Sequence, residues 1–214
     1  MKLIVASDLH CSPLMEDWRR AKIEQLMKYI DEKASQDYLP VLAGDIVDYV
    51  EFREGVIRDV FCQKVGDWAR KYTRLKGNHD RMAELPGYMI IDGTYIAHWD
   101  QFDPIWGKIL CWFLYLPLPM PKFIYNLYRT PSKLKTKGEL RQYESSVALL
   151  ERRALEFCAE NGFKAIIGGH THSEFVMKRE GYVIANAGDF LDSWSWLIGD
   201  TVNNEWKVEY LDST

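Results

Sequence analysis

Five short apolar runs, each ending in a polar cluster, constrain this chain more than any other feature. Residues 3–6 lead into Ser7-Asp8-Leu9-His10, residues 39–43 into Gly44-Asp45, and residues 72–76 into Gly77-Asn78-His79-Asp80. Residues 95–97 lead into His98, and residues 165–167 into Gly168-Gly169-His170-Thr171-His172. Each run has strand length and is rich in β-branched or aromatic residues. Helical patterns lie between them. Ile23, Leu26, Met27 and Ile30 recur at i, i+3, i+4, i+7, and Val56, Val60 and Lys64-Val65 through Trp68 fit a second helix. A third spans 144–160, with Val147, Leu150, Ala154 and Phe157-Cys158 on one face and Asn161-Gly162 as its stop. Strand–helix alternation predicts an α/β sandwich, in which ligands gather at the carboxyl ends of strands, where these clusters sit. After His172 the helical pattern ceases: residues 174–178, 182–187, 194–198 and 206–210 read as strands, expected to form a second sheet.

A chain of 214 residues suits one domain over 1–214 and is ample for a hydrophobic core. With 47% hydrophobic and 27% charged residues and no low-complexity tract, it is not a disordered polymer. The net charge of −4 argues against a protein that coats nucleic acid. Cys11, Cys62, Cys111 and Cys158 are far apart in sequence and form no CxxC pair, so neither a disulfide scaffold nor a thiolate zinc site is expected. No leader is read at the N-terminus, where the apolar run soon meets Asp8 and His10. The longest uncharged apolar run, 109–121, is broken by Pro117, Pro119 and Pro121 and falls short of the roughly 20 residues that span a bilayer. The expected location is cytoplasmic.

All five histidines (10, 79, 98, 170 and 172) fall in the strand-end clusters. Asp8, Asp45, Asp48, Asp80 and Asp100 accompany them, and Asn78 adds an amide oxygen. One histidine alone is more often a surface or satisfied core residue. Five of five at strand ends, mixed with carboxylates, make a borderline donor set suited to manganese, iron, zinc, cobalt or nickel. Asp8-x-His10 and His170-x-His172 are expected to place two donors on one side of an extended segment. Gly44 is expected to let the backbone approach a metal. Covalent catalysis lacks support: Ser7 and Ser12 have no triad, Cys11 reads as a small residue beside the site, and no Gly-rich nucleotide loop occurs.

Asp8-x-His10, Gly44-Asp45-x-x-Asp48, Gly77-Asn78-His79-Asp80, His98 and Gly169-His170-x-His172 resemble, in order and spacing, the motifs of the calcineurin-like metallophosphoesterases. That resemblance implies a four-layer αββα sandwich holding two divalent metal ions, with Mn2+ the first expectation. Asp8, His10, Asp45 and His172 would hold the first ion. Asp45 would bridge to the second, completed by Asn78, His98 and His170. His79 would face the substrate phosphate as a catalytic group, oriented by Asp80, with Asp48 acting behind the ligands. The implied reaction is hydrolysis of a phosphoester or pyrophosphate bond by a metal-bridging hydroxide.

Two further segments, His98-Trp99-Asp100-Gln101-Phe102-Asp103 and Asn186-Ala187-Gly188-Asp189-Phe190-Leu191-Asp192-Ser193, are similar to segments of UDP-2,3-diacylglucosamine diphosphatases. They point to a lipid-linked or nucleotide diphosphate substrate. Trp99, where a glycine is usual, and His79, where some members carry arginine, depart from that branch. The other reading of 186–193 is a hairpin turn with core tryptophans at 194 and 196. Residues 104–141 read as a small apolar helical insertion. Its aromatic part, 105–131, and its basic flank fit a structural cap, a lid for an acyl substrate with peripheral membrane contact, or a nucleic-acid surface. The alternatives to a pyrophosphatase are a nuclease or cyclic-nucleotide phosphodiesterase and, outside enzymes, a metal-binding interaction scaffold.

Overall fold

The structure is a computed structural model and describes residues 1–48, 58–80, 84–103 and 137–211, with backbone alone for 137–147. Most of the 104–141 insertion, including its aromatic stretch, therefore lies outside the described residues. Among the described residues, ten strands form two sheets. The first contains β1 (Lys2–Ala6), β2 (Leu39–Leu42), β3 (Thr73–Arg74), β9 (Ser195–Asp200) and β10 (Glu205–Tyr210), in the order β10-β9-β1-β2-β3. The second contains β4 (Tyr88–Ile91), β5 (Thr94–Ala97), β6 (Ala165–Gly168), β7 (Phe175–Arg179) and β8 (Tyr182–Asn186), in the order β4-β5-β6-β8-β7.

Three apolar clusters show how the layers stack. Side chains alternate along β1, so Leu3 and Val5 face the other sheet while Ile4 and Ala6 face outward. Between the sheets, Leu3, Val5, Val41, Leu75, Leu197 and Trp206 pack with Ile96, Ala165, Ile167, Val183 and Ala185. Outside the first sheet, Ile4, Ala6 and Leu42 pack against α1 (Asp17–Ser35) through Ile23, Leu26 and Ile30 and against α2 (Val60–Ala69) through Phe61, Val65 and Trp68. Outside the second, Tyr95, Ile166 and Ile184 pack against Leu150, Ala154 and Cys158 of α3 (Lys137–Asn161). The order is helices, sheet, sheet, helix: the expected αββα sandwich. Because both faces of β1, β2, β5 and β6 are buried, their sequences read as unbroken apolar runs. No described helix is long and apolar enough to cross a membrane.

The helix ends follow local rules. Asp59 caps α2, its carboxylate accepting the N–H of Cys62 at 2.8 Å. Gly162, at φ 71°, stops α3, and the following Phe163 N–H returns to Cys158 O at 3.1 Å. One expectation needs correction. The four C-terminal strands do not make a sheet of their own. β7 and β8 extend the second sheet, while β9 crosses to pair antiparallel with β1, Ile4 opposite Ile198, and carries β10 with it. The open edge of β1 opposite β2 provides that partner. β4, which the apolar pattern did not reveal, pairs with β5 through Asp92-Gly93, both at positive φ (47° and 73°), as a two-residue hairpin requires.

Candidate metal centre

β1, β2 and β3 run parallel in one sheet, and β5 and β6 in the other. Their carboxyl ends bring all five polar clusters together. The first two loops continue pairing after their strands stop: Asp8 N–H donates to Gly44 O (3.1 Å), His10 N–H to Asp45 O (2.9 Å), and Asp48 N–H to Cys11 O (3.0 Å). His98 joins the sheets. Its Nδ1 lies 3.0 Å from Ala43 O, and the ring occupies the space beside Gly44, where a Cβ would come within 2.7 Å of Nδ1. Gly44 therefore makes room for the His98 ring.

The donors do not converge by strand alternation. Asp8, His10, Asp45, His170 and His172 all adopt left-handed backbone, with φ between 46° and 74°. This region costs a non-glycine residue on the order of 1 kcal/mol, and such strain persists where surrounding structure imposes it. It turns each of these loops back on itself. The extended geometry expected for Asp8-x-His10 and His170-x-His172 is replaced by these turns.

Three groups of ligand atoms, each within 4.8 Å of one another, result: Asp8–His10–His172, His10–Asp48–His79 and Asp8–Asp45–His98. Asp8 Oδ2 accepts the Ser7 hydroxyl at 2.6 Å and the His170 N–H at 2.9 Å. Its Oδ1 is left facing three imidazoles, with Nε2 of His172 at 3.4 Å, of His10 at 3.6 Å and of His98 at 4.0 Å. Asp8 Oδ1 and His10 Nε2 are buried without a hydrogen-bond partner. Donor atoms about 2.0–2.2 Å from a common cation stand roughly 3.0–3.5 Å apart, so these residues fit a divalent metal ion. Across the site, His98 Nε2 lies 3.1 Å from Asp45 Oδ2 and 3.0 Å from Asn78 Oδ1, a second convergence of donors.

Carboxylates and a carbonyl hold the rings from behind. His10 Nδ1 lies 2.8 Å from Asp48 Oδ1, which also stands 3.4 Å from His79 Nδ1. His170 belongs to none of the three groups; its Nε2 meets Asp103 Oδ1 at 2.9 Å. His172 Nδ1 meets Asp189 Oδ2 at 2.8 Å. Asp80, expected to orient His79, accepts the backbone N–H groups of Asp45 (2.7 Å) and Gly77 (3.1 Å) and so fastens the loop carrying Asp45. Asp48 Oδ1 at 3.4 Å and Asp45 Oδ2 at 3.9 Å stand beside the His79 ring. Sequence reading assigned no role to Asp103 or Asp189, although both lie in the two segments singled out for their similarity to diphosphatases.

Burial and mutual charge shift the protonation of these groups. Burial raises the Asp8 and Asp45 carboxyls, but neighbouring imidazoles, His98 foremost, outweigh it and hold both below the usual range. Burial lowers His98, yet Asp45 and Asp8 push it up to about 10. His79, desolvated and beside His10, falls to about 4 despite Asp45, so its ring is neutral near pH 7. Burial and the Asp45 charge push Asp80 up to about 7. Nearby, Cys11 and Cys62 meet with Sγ atoms 3.5 Å apart as buried free thiols, a proximity their separation in sequence did not foretell.

No curated protein sequence matches the chain. Among solved structures, an archaeal phosphodiesterase is 14% identical over 99% of this chain and 100% of its own, with a TM-score of 0.50. A hypothetical protein from Pyrococcus horikoshii OT3 is 8% identical over 99% of this chain and 88% of its own, with a TM-score of 0.54. At such identities the likeness is one of fold. The profile of the calcineurin-like phosphoesterase family matches residues 1–174, which include every motif at the strand ends. The protein belongs to the calcineurin-like phosphoesterase family.

Proposed function

We propose that this protein is a binuclear, metal-dependent phosphoesterase acting on a lipid-linked or nucleotide diphosphate. The observation that carries the metal-dependent part is that Asp8 Oδ1 and His10 Nε2 are buried without a hydrogen-bond partner, with His172 Nε2 close to the same carboxylate oxygen. Asp8, His10, Asp45 and His172 would hold one ion, and Asp45, Asn78, His98 and His170 the other. His170 would have to share its ring with Asp103. Two bound cations supply hydroxide near neutral pH and neutralise charge on the phosphoryl oxygens. The chain's own groups do the rest. Asp48 fixes the His10 ring and stands beside His79. His79, neutral at pH 7, offers an N–H to a phosphoryl oxygen as charge redistributes, stabilising it without the cost of a buried cation. Asp80 holds the backbone of Asp45, so the shared carboxylate keeps its place.

The substrate assignment rests on the segments 98–103 and 186–193 in the sequence. Phosphorus NMR on chelator-stripped protein reconstituted with Mn2+, against monoesters, diesters and diphosphates, tests it. Metal-restored cleavage led by diphosphates is expected. Preference for oligonucleotides or cyclic nucleotides would replace the substrate class, and full activity after exhaustive chelation would remove the binuclear mechanism.

A further inference from the structure

The family match ends at residue 174, yet polar contacts to the metal centre come from beyond it. We propose that Asp189 is a positioning residue of the metal centre, setting the ring of His172 so that Nε2 faces Asp8. The inference rests on the metal-centre reading above.

His172 needs such a hold more than its partner does: its side chain is 34% exposed, against 5% for His10. Asp189 Oδ2 takes the Nδ1 side of the ring at 2.8 Å, leaving Nε2 3.4 Å from Asp8 Oδ1. An ionised carboxylate only accepts, so the proton sits on Nδ1 and the Nε2 lone pair is free for a cation. Asp189 is itself fixed. Its Oδ1 accepts the N–H groups of Asp192 (3.0 Å) and Ser193 (2.8 Å) and the Ser193 hydroxyl (3.0 Å). Ser195 Oγ lies 2.9 Å from that hydroxyl and donates to Ala187 O at 2.8 Å.

The turn bearing Asp189 is stitched to the loops it serves. Ala187 N–H donates to Gly168 O (2.8 Å), the Asn186 amide to Gly169 O (2.5 Å), and Phe190 N–H to Asp8 O (3.1 Å). Gly188, at φ 76°, is required there, since a Cβ would come within 2.1 Å of Ser195 Oγ. One turn thus reaches Asp8, the loop before His170, and His172. This gives 186–193 a role that neither a hairpin turn nor a substrate contact provides.

The test titrates chelator-stripped wild type, Asp189→Asn and Asp189→Ala with Mn2+ by calorimetry, and follows the histidine ring nitrogens of the stripped proteins by 15N NMR. Removing a partner behind a metal-binding imidazole typically costs 10–100-fold in affinity. Asp189→Ala should weaken one Mn2+ site by about that factor, leave the other unchanged, and abolish the Nδ1–H preference of His172. Ser193→Ala, which keeps the carboxylate but removes its hydroxyl support, should give a smaller loss at the same site. Affinities within twofold of wild type at both sites, or equal losses at both with a lower melting temperature of the stripped protein, would overturn the proposal. A wild type that binds no Mn2+ would instead sink the metal-centre reading, and this inference with it.

Discussion

The donors around Asp8 and those around Asp45 are supported differently. Around Asp8, His10 is backed by the Asp48 carboxylate and His172 by Asp189, each at 2.8 Å. Around Asp45, the His98 ring is backed by a neutral acceptor, Ala43 O at 3.0 Å, and pairs with Asp45 Oδ2 at 3.1 Å. An anionic partner makes imidazole a stronger donor than a carbonyl does. His98, with its pKa pushed up to about 10, would also have to surrender a proton to act as the proposed ligand. The two halves of the proposed centre should therefore differ in affinity, and the substitutions below either erase that difference or sharpen it.

Asp45→Ala should erase it, because this carboxylate is proposed to serve both halves. Elemental analysis should find both metals depleted and turnover near background. Retention of two tightly bound ions per chain would refute the shared ligand. His79→Ala should leave the comparison intact, as its proposed partner is the phosphoryl group. A kcat loss of roughly 10²–10⁴ is expected with metal content near wild type. A metal-depleted variant would make His79 a ligand.

The contrast between these donors and the sheets beneath them also explains what could be read without coordinates. Strands buried on both faces announce themselves as apolar runs, and all five strand-end clusters did meet. The local turns that aim the donors were not legible: a left-handed Asp8 or His172 leaves no mark in an Asp-x-His or His-x-His spacing. The destination of β9 was hidden for another reason. Pairing Leu3 with Gly199 closes a loop of almost the whole chain, and hydrophobic pattern specifies a strand's faces but not its neighbour. Asp92-Gly93 was a signal present and unused. Asp103 and Asp189 were visible as acidic residues in two singled-out segments, but which histidine each would back depended on distant loops folding together.

Filling order probes the comparison with a smaller effect. Substoichiometric Mn2+ added to stripped protein should broaden the ring signals of His10 and His172 before that of His98, with affinities separated by about tenfold or more. Broadening of His98 first would reverse the argument that anionic backing decides the order.

The smallest effect concerns the stripped protein alone. His98 pairs with Asp45 Oδ2 at 3.1 Å, and its pKa is raised from the ordinary 6.5 to about 10. A group whose pKa is higher in the folded state contributes stability that is complete below its unfolded value and fades as pH rises through the folded one. Stripped protein should therefore lose melting temperature progressively from pH 6.5 toward 10. The acid side runs the opposite way: Asp45, held below its ordinary 3.8, contributes stability above that value and loses it as pH falls further. Mn2+-loaded protein should not share the alkaline decline, since in the proposed centre a cation would take the place of the His98 proton. His98→Gln, which cannot titrate, should flatten the stripped curve from its neutral end. Melting curves with chelator and with Mn2+ across pH 6.5–9 suffice to compare them. Parallel declines in loaded and stripped protein would mean that the alkaline loss arises elsewhere and that the His98–Asp45 pair does not hold this half of the centre together.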